Sequence, residues 1–403
     1  MDVRQDQGML FASLRYLIKR GDSMVKIKYR SGLKNISQKL RLSDTARKHH
    51  LGASEDQTAE IISQYRAYKY AKGLMLLVVA LLCIVAFGID VGLGPYSIGF
   101  LEVYQAIIDR ILDWNTDMPI EMFIVWDLRL PRVITALLAG MGLAMAGAAM
   151  QSMMKNPLAD PYTTGISSGA ALGATLAITM GICIVGGEFG TVINAFVFAL
   201  IPAAFIILLS TYRKPSPAMI ILSGISLMYI FNAVQSYLMI VADPNAASTV
   251  YNWTVGSLNS ASWDSVPFIF AVTLVGGTLL VLMARVLNTM NSGDAYSKSI
   301  GINVNKARII VLVTISLVAA GIVSFTGIIG FIGLVAPHIA RIFVGSDNKI
   351  LIPASGLMGA GLMLLADCVV QVVAETMPIG IITSIIGGPI FMILILRQKK
   401  EDW

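Results

Sequence analysis

Uncharged apolar windows long enough to cross a bilayer recur through most of this 403-residue chain. A bilayer core about 30 Å thick needs about 20 apolar residues per helix. Because 56% of the residues are hydrophobic and only 13% are charged, lipid is the solvent that fits this composition. The windows are 133–154, 161–187, 189–212, 215–242, 265–284 and 376–396. The sequence therefore predicts an all-α, polytopic membrane protein.

Ten membrane-spanning helices account for these windows. The difficult stretch is 307–345, which fits one long helix or two short helices that meet at Gly327, Gly330 and Gly333. The positive-inside rule selects two helices, because only then do the basic loops and the basic C-terminal cluster fall on one side. The predicted helices are 73–89, 132–154, 163–185, 190–210, 217–241, 265–287, 307–327, 329–345, 351–373 and 378–397.

Charge in the loops sets the predicted orientation. Of the 30 Lys and Arg residues, only Arg110, Arg129 and Arg132 lie outside in the ten-helix arrangement, so both termini are predicted to be cytoplasmic. The largest outer segment, 90–131, carries apolar residues at a helical period and is predicted to lie flat on the outer surface. These residues are Phe100, Tyr104, Ile107, Ile108, Ile111 and Leu112.

Residues 1–72 form a basic N-terminal extension that holds 15 of the 30 Lys and Arg residues. The extension has no apolar run long enough for a signal peptide and is predicted to stay in the cytosol. Two interpretations remain open for it. It is a disordered, solvated tail, or the weakly amphipathic segment Met9–Ile18 rests on anionic lipid.

The chain offers no pattern for chemistry within the membrane. Its three cysteines are Cys83, Cys183 and Cys368, which lie in apolar windows without metal-ligand spacing. Its three histidines are too few for a zinc site or a relay. A phosphate-binding loop of the G-x-x-x-x-G-K-[ST] type is absent from the sequence. We therefore predict no enzyme activity, no metal site and no bound cofactor, and expect any ATP to be hydrolysed by another subunit.

Two arginines flank Pro131 in the segment Trp126–Arg132, which reads WDLRLPR. Proline is tolerated in the first turn of a helix, because the N–H that it lacks has no partner there. Arg129 and Arg132 are three residues apart and can share a face. Outer arginines commonly reach lipid headgroups, but this pair interrupts an acidic outer surface, which favours a specific anionic partner.

This motif and four further blocks closely resemble the FecCD/BtuC-type permeases, in the order that the family shows. The resemblance runs from about residue 73 to the C-terminus and excludes the N-terminal extension. The blocks are Gly140–Pro161 (GMGLAMAGAAMQSMMKNPLADP), Gly165–Gly173 (GISSGAALG), Gly330–Arg341 (GFIGLVAPHIAR) and Pro378–Pro389 (PIGIITSIIGGP).

The resemblance implies a type II ABC importer in the plasma membrane of a prokaryote. Residues 73–403 would form a permease domain, with helices 2–5 and 7–10 as inverted repeats. Two permease copies would assemble as a homodimer with two ATP-binding subunits, which bind ATP and Mg, and with an external substrate-binding protein. Membrane lipid would surround the complex, and nucleic acid is not an expected partner. The family carries metal chelates, so a ferric siderophore or other iron complex is the first expectation, cobalamin the second and molybdate the third.

The resemblance also assigns site residues. Arg129 and Arg132 match the family's docking arginines for carboxylates of the binding protein, and Gln371 stands where a third arginine is expected. In the loop Asn291–Arg308, two turn signals flank a short polar helix with Asp294 near its N-terminus, where a carboxylate is favoured. By similarity to the family's coupling helix, the residues expected to contact the ATPase are Gly293, Asp294, Ser297 and Gly301, with serine in place of the usual alanine.

Three features of the membrane segments remain to be placed. Helix 2 is rich in small residues such as Gly140 and Gly147, which favour close helix packing. The polar residues of helix 5 either line the translocation path or join helices within the bundle; they are Ser223, Ser226, Asn232, Gln235 and Ser236. Asp367 has no lysine or arginine on its own helix. It is interpreted as a protonated or hydrogen-bonded structural group, with proton coupling as the alternative.

The favoured hypothesis is alternating access, in which ATP binding on partner subunits rearranges the helices and the chelate passes without direct chemistry. The rival is a secondary transporter or channel that works alone. Such a protein needs coupling charges or a filter within the membrane, and Asp367 is a poor basis for either. An intramembrane enzyme would need a nucleophile with a base or a metal constellation, and the sequence offers neither.

Overall fold

The computed structural model describes residues 55–94, 96, 98–112, 119–373 and 377–397, and the regular elements in these ranges are all helical. Residues Lys72–Trp403 form one compact unit, and the predicted domain boundary stays a prediction. The segment Met9–Ile18 lies outside the described residues, so both interpretations of the N-terminal extension stay predictions.

The helices of the first half alternate long apolar rods with short connectors. The long helix α4 follows α3 without a break, through a π-helical turn at Ile124–Arg129, and a 3-10 turn at Pro161–Thr164 precedes α5. The helices are α1 (Glu55–Gly92), α2 (Phe100–Ile111), α3 (Pro119–Phe123), α4 (Leu130–Met154), α5 (Ile166–Met180), α6 (Gly190–Tyr212), α7 (Pro217–Val241) and α8 (Pro244–Val255).

The second half begins with a bent pair of helices. They are α9 (Val266–Leu282) and α10 (Ala284–Asn291), which meet at 49°. The remaining helices are α11 (Asp294–Ser299), α12 (Val304–Thr326), α13 (Ile332–Val344), α14 (Asn348–Val373) and α15 (Ile379–Arg397).

Each of the ten predicted spans coincides with a helix or with the bent pair. Within the described residues, six segments are long and apolar enough to cross a membrane: Lys72–Gly92, Ile120–Met154, Gly190–Tyr212, Pro217–Val241, Val304–Thr326 and Asn348–Val373. The α9–α10 pair is a seventh if it forms one bent span. The helices α5, α13 and the apolar part of α15 are shorter. The all-helical membrane fold is confirmed, and the crossing by the three shorter helices stays a prediction.

Residues 307–345 form two helices, as the distribution of basic loops predicted. Helix α12 ends at Thr326, and Gly327 caps it with a φ of 67°. That left-handed conformation favours glycine, and a side chain at Gly327 would also collide with the Trp253 carbonyl oxygen. The chain then runs without helix to Phe331, and α13 begins at Ile332.

Helix α4 lies at the centre of the bundle. In its span 83% of the apolar window is buried, against 22% for the peripheral α7. Any side chain on Gly147 would collide with Gly333 of α13, and any side chain on Gly140 with Gly359 of α14. The prediction that small residues of helix 2 allow close packing is therefore confirmed.

The predicted repeats show the same order of helix lengths. Helices α4, α5 and α6 have 25, 15 and 23 residues, and helices α12, α13 and α14 have 23, 13 and 26. This long, short, long order supports two related halves. The inversion that relates them stays a prediction.

Helix α2 forms within the predicted outer segment, but the face it buries against the protein differs from the predicted apolar stripe. Val103 and Ala106 are buried, whereas Ile108 and Ile111 are exposed. The apolar period was read correctly as helical, but only part of its stripe contacts the protein, since Ile107 packs against the core while Ile108 and Ile111 are exposed. The exposed part is available to lipid, which fits a helix at the membrane surface.

Candidate functional site

Two groups of polar residues lie at opposite ends of α4. We call the first the arginine cluster, which consists of Arg129, Arg132, Gln371, Asp90 and Asp367. The π-helical turn ends at Arg129, and Pro131 occupies the first turn of α4. Because the helical backbone is continuous here, Pro131 interrupts its hydrogen-bond ladder by the N–H that it lacks, and both arginines lie at this junction.

Arg129 is buried and its guanidinium group is turned inward. It donates hydrogen bonds to the carbonyl oxygens of Val91 (3.0 Å), Gly92 (3.1 Å) and Tyr96. Gly94 leaves the space for this side chain, because a Cβ there would collide with the guanidinium. Arg129 thus connects the end of α1, and the segment that follows α1, to the start of α4.

Arg132 forms an ion pair with Asp367 of α14. Its Nη2 lies 2.7 Å from Oδ1 and its Nε 3.0 Å from Oδ2, while Nη1 donates to Asn259 Oδ1 at 2.8 Å. The Arg132 side chain is 12% exposed and that of Asp367 is fully buried. A bidentate ion pair of this kind constrains the relative orientation of the two side chains as well as their separation. Asp367 is therefore a hydrogen-bonded structural group, whose cation comes from a helix distant in sequence.

Gln371 connects the two buried carboxylates of the arginine cluster. Its Nε2 donates to Asp90 Oδ1 at 2.6 Å and reaches Asp367 Oδ2 at 3.4 Å. Asp90, at the end of α1, is fully buried. The structure thus brings together all three residues predicted for docking, and it places them in bonds within the chain. Their docking role stays a prediction.

The second group is the coupling loop, residues 291–308. Its short helix α11 is confirmed, together with the two predicted turns: Gly293 has a φ of 119° and Gly301 a φ of 90°. A Cβ on either glycine would meet open space. The requirement for glycine at these two positions is therefore conformational rather than steric.

Helix α11 buries one side and exposes the other. Ser297 is fully buried, and its hydroxyl group, which has one proton to donate, lies within hydrogen-bonding distance of the carbonyl oxygens of Thr289 (3.0 Å) and Gly293 (2.8 Å). Tyr296 and Ile300 are 54% and 53% exposed. Sequence reasoning missed this pair, although two apolar residues four apart in a polar loop are a recognisable signal.

Asp294 anchors the coupling loop through two ion pairs. Its Oδ1 lies 3.0 Å from Lys155 Nζ, and its Oδ2 lies 3.1 Å from Arg308 Nη2. Burial raises the pKa of the Asp294 carboxyl, but the hydrogen bonds from Lys155 and Arg308 outweigh burial, and the net pKa is below its ordinary value. The predicted helix-terminal carboxylate is present, and its partners were not predicted.

The polar residues predicted for the translocation path all lie on α7. Ser223 is buried and Gln235 is partly buried, whereas Ser226, Asn232 and Ser236 are exposed on this chain. The exposed three do not join helices within the bundle, which weakens that alternative for them. A path or an interface with a second copy remains open to them, so the pathway assignment stays a prediction.

These observations define the class of protein. The chain is an all-helical membrane protein with a buried charge cluster at one end of its central helix and an exposed helical loop at the other. The model of the FecCD transport family matches residues 81–397, and the chain belongs to this family.

Two relatives and one solved structure illustrate the similarity. The hemin transport system permease protein HmuU of Yersinia pestis is 35% identical over 326 residues, which cover 80% of this chain and 94% of that protein. The cobalamin import system permease protein BtuC of Halobacterium salinarum is 37% identical over 278 residues, covering 69% and 74%. A solved inward-facing structure of a metal-chelate type ABC transporter has a TM-score of 0.72 at 29% identity, covering 81% of this chain and all of that one.

Proposed function

We propose that this chain is the membrane-spanning subunit of an importer that carries a metal chelate, with a ferric complex as the first candidate cargo. Separate ATPase subunits power the import, and an external binding protein delivers the chelate. The named relatives carry hemin and cobalamin, which supports a large chelate as the class of cargo. Cobalamin is the second candidate and molybdate the third.

The observation that carries the proposal is the exposed pair Tyr296 and Ile300 on the coupling loop. Large apolar side chains on a polar loop outside the spans mark a surface for a partner protein, and the ion pairs of Asp294 hold the helix that presents them. A permease that worked alone would need no exposed apolar surface for an ATPase. The rival also needs free coupling charges, and Asp367 is neutralised by Arg132.

The first experiment measures assembly. Permease and candidate ATPase are co-expressed, and ATPase recovered with tagged permease is compared between wild type and the double variant Tyr296→Ala/Ile300→Ala. Recovery is expected to fall, because the double variant removes the apolar contact. Tyr251→Ala is the matched control, since Tyr251 is 61% exposed on α8. Equal recovery in wild type and the double variant would remove the loop as the ATPase contact.

The second experiment identifies the cargo. ATP is loaded inside proteoliposomes that contain the permease and the ATPase. The binding protein is supplied outside, together with a ferric siderophore, haem, cobalamin or molybdate. Uptake of one chelate that needs both ATP and the binding protein supports the importer. Uptake that proceeds without ATPase would favour a secondary transporter.

Orientation and assembly complete the proposal. We place both termini in the cytoplasm of a prokaryotic cell and expect a homodimer built around the exposed face of α7. A membrane-impermeant thiol reagent applied to intact cells should label a cysteine at Ser260 and spare one at Lys298, in a background where the three native cysteines are serine. Labelling of position 298 from outside contradicts this orientation.

A further inference from the structure

Lys155, the residue that caps the C-terminus of α4, has an unusual backbone. It adopts the left-handed conformation, with φ 52° and ψ 35°, which glycine adopts more easily than any residue with a side chain. A lysine at such a position carries a backbone cost that glycine would avoid. That side chain reaches Asp294 of the coupling loop at 3.0 Å.

Arg308 supplies the second contact to Asp294. Its side chain is 2% exposed, and its Nη2 lies 3.1 Å from Asp294 Oδ2. The same guanidinium group donates through Nη1 to the carbonyl oxygen of Pro215, in the connector between α6 and α7. Arg308 therefore joins three parts of the fold: the coupling loop, the start of α12 and the approach to α7.

We define Lys155, Asp294 and Arg308 as the coupling clamp. One carboxylate at the start of α11 holds the end of α4 and the beginning of α12 through charged hydrogen bonds. The Ser297 hydroxyl group lies 3.0 Å from the carbonyl oxygen of Thr289 in α10. Helix α11 is therefore in contact with several membrane helices at once.

We propose that the coupling clamp transmits movement of α11 to the membrane helices, with Lys155, Asp294 and Arg308 acting as positioning residues. The inference rests on the proposed function, because it needs an ATPase that moves α11. Energetic coupling requires a physical chain of contacts with more than one arrangement. Ion pairs at a partly exposed carboxylate meet this need, since Asp294 is 40% exposed and water can replace a broken contact.

The backbone of Lys155 makes a sharp test possible, because charge and conformation are separable there. Lys155→Gly removes the charge and relieves the backbone. Lys155→Met removes the charge and keeps the cost of placing a residue with a side chain in the left-handed conformation. Lys155→Arg keeps both the positive charge and this backbone cost. Arg213→Met is the control for loss of a positive charge outside the coupling loop, since Arg213 is exposed directly after α6.

The measured quantity is chelate taken up per ATP hydrolysed, in proteoliposomes that contain the complete complex with its binding protein. We expect Lys155→Gly and Lys155→Met to lower this ratio by about threefold, the size expected for loss of a partly exposed ion pair. Lys155→Arg and Arg213→Met should keep the wild-type ratio. A purely structural role would instead let Lys155→Gly transport normally and unfold at the same or a higher temperature.

The outcomes separate the clamp from the proposed function. Wild-type complex that shows no ATP-dependent uptake overturns the proposed function and the clamp with it. Wild-type uptake with an unchanged ratio in Lys155→Gly and Lys155→Met overturns the clamp alone. If ATP hydrolysis and chelate uptake fall by the same factor in these variants, the clamp proposal is also overturned, because the ion pair then serves assembly with the ATPase. A fall in the ratio, with ATPase recovery unchanged, supports transmission through the clamp.

Discussion

The arginine cluster and the coupling clamp lie at opposite ends of α4 and differ in their contact with water. At one end Arg132 pairs with a fully buried Asp367, and at the other Lys155 pairs with an Asp294 that is 40% exposed. Breaking a buried pair leaves an uncompensated charge and is costly, whereas an exposed pair contributes little and is replaced by water. The first pair is therefore suited to holding helices together, and the second to changing during a cycle.

The same comparison changes how docking at Arg129 and Arg132 is understood. Arg129 is occupied by three backbone carbonyl groups, and Arg132 by Asp367 and Asn259. A carboxylate of a binding protein would have to share these guanidinium groups with partners inside the chain. Replacing both arginines by glutamate would then also disturb the fold, so milder substitutions give cleaner tests.

The largest effect is expected for Arg132→Met. The substitution leaves Asp367 buried without its cation, and the free energy of unfolding should fall by about 3–5 kcal/mol. Thermal and denaturant unfolding of the purified permease measure this loss. Arg110→Met is the control at the same end, because Arg110 is exposed and its guanidinium carbon lies 6.0 Å from the Trp126 ring centroid. Equal stability of Arg132→Met and wild type would contradict a structural role for the buried pair.

A smaller effect is expected for Gly301→Val in the coupling loop. A β-branched residue at a φ of 90° costs about 1–3 kcal/mol of backbone strain, although open space surrounds the position. The turn that ends α11 should shift, and ATP-dependent uptake should fall while the permease remains in the membrane. Gly186→Val is the control, since open space also surrounds Gly186 and its backbone is outside the left-handed region. Wild-type uptake by Gly301→Val would make the loop a simple connector.

Gln371→Arg tests whether the arginine cluster lacks a cation. Asp90 and Asp367 are both fully buried, and Gln371 donates to both carboxylates. An arginine there adds a charged hydrogen bond, so stability should rise by about 1 kcal/mol. Gln371→Leu, the paired control, removes the donor and should lower stability. If the arginine variant unfolds at a lower temperature than wild type, the buried carboxylates do not need a second cation.

The smallest effect is a pH dependence at Asp294. Its pKa in the folded protein is lower than its ordinary value, so its contribution is present above the unfolded pKa and is lost as pH falls through the folded pKa. After solvent screening the contribution should be below about 1 kcal/mol. Unfolding temperatures of wild type and Asp294→Asn should differ near neutral pH and converge in acid, below about pH 4. A constant difference across this range would contradict the assignment.

The sequence alone determined the membrane fold and where the apolar helices lie along the chain, because hydrophobic length is read directly from local sequence. It also determined the turns at Gly293 and Gly301, which follow from turn chemistry within one loop. The break at Gly327 was likewise correct, because charge distribution excluded one long helix.

Only the tertiary structure decided which charges meet. Arg132 and Asp367 are 235 positions apart, and Lys155 and Asp294 are 139 apart, so neither pair has a signature in local spacing. Gly140 lets α14, which carries Asp367, pack closely against α4, and this approach brings Arg132 and Asp367 together. The inward direction of Arg129 depends likewise on partners that are distant in the chain, since it donates to carbonyl groups of Val91 and Gly92.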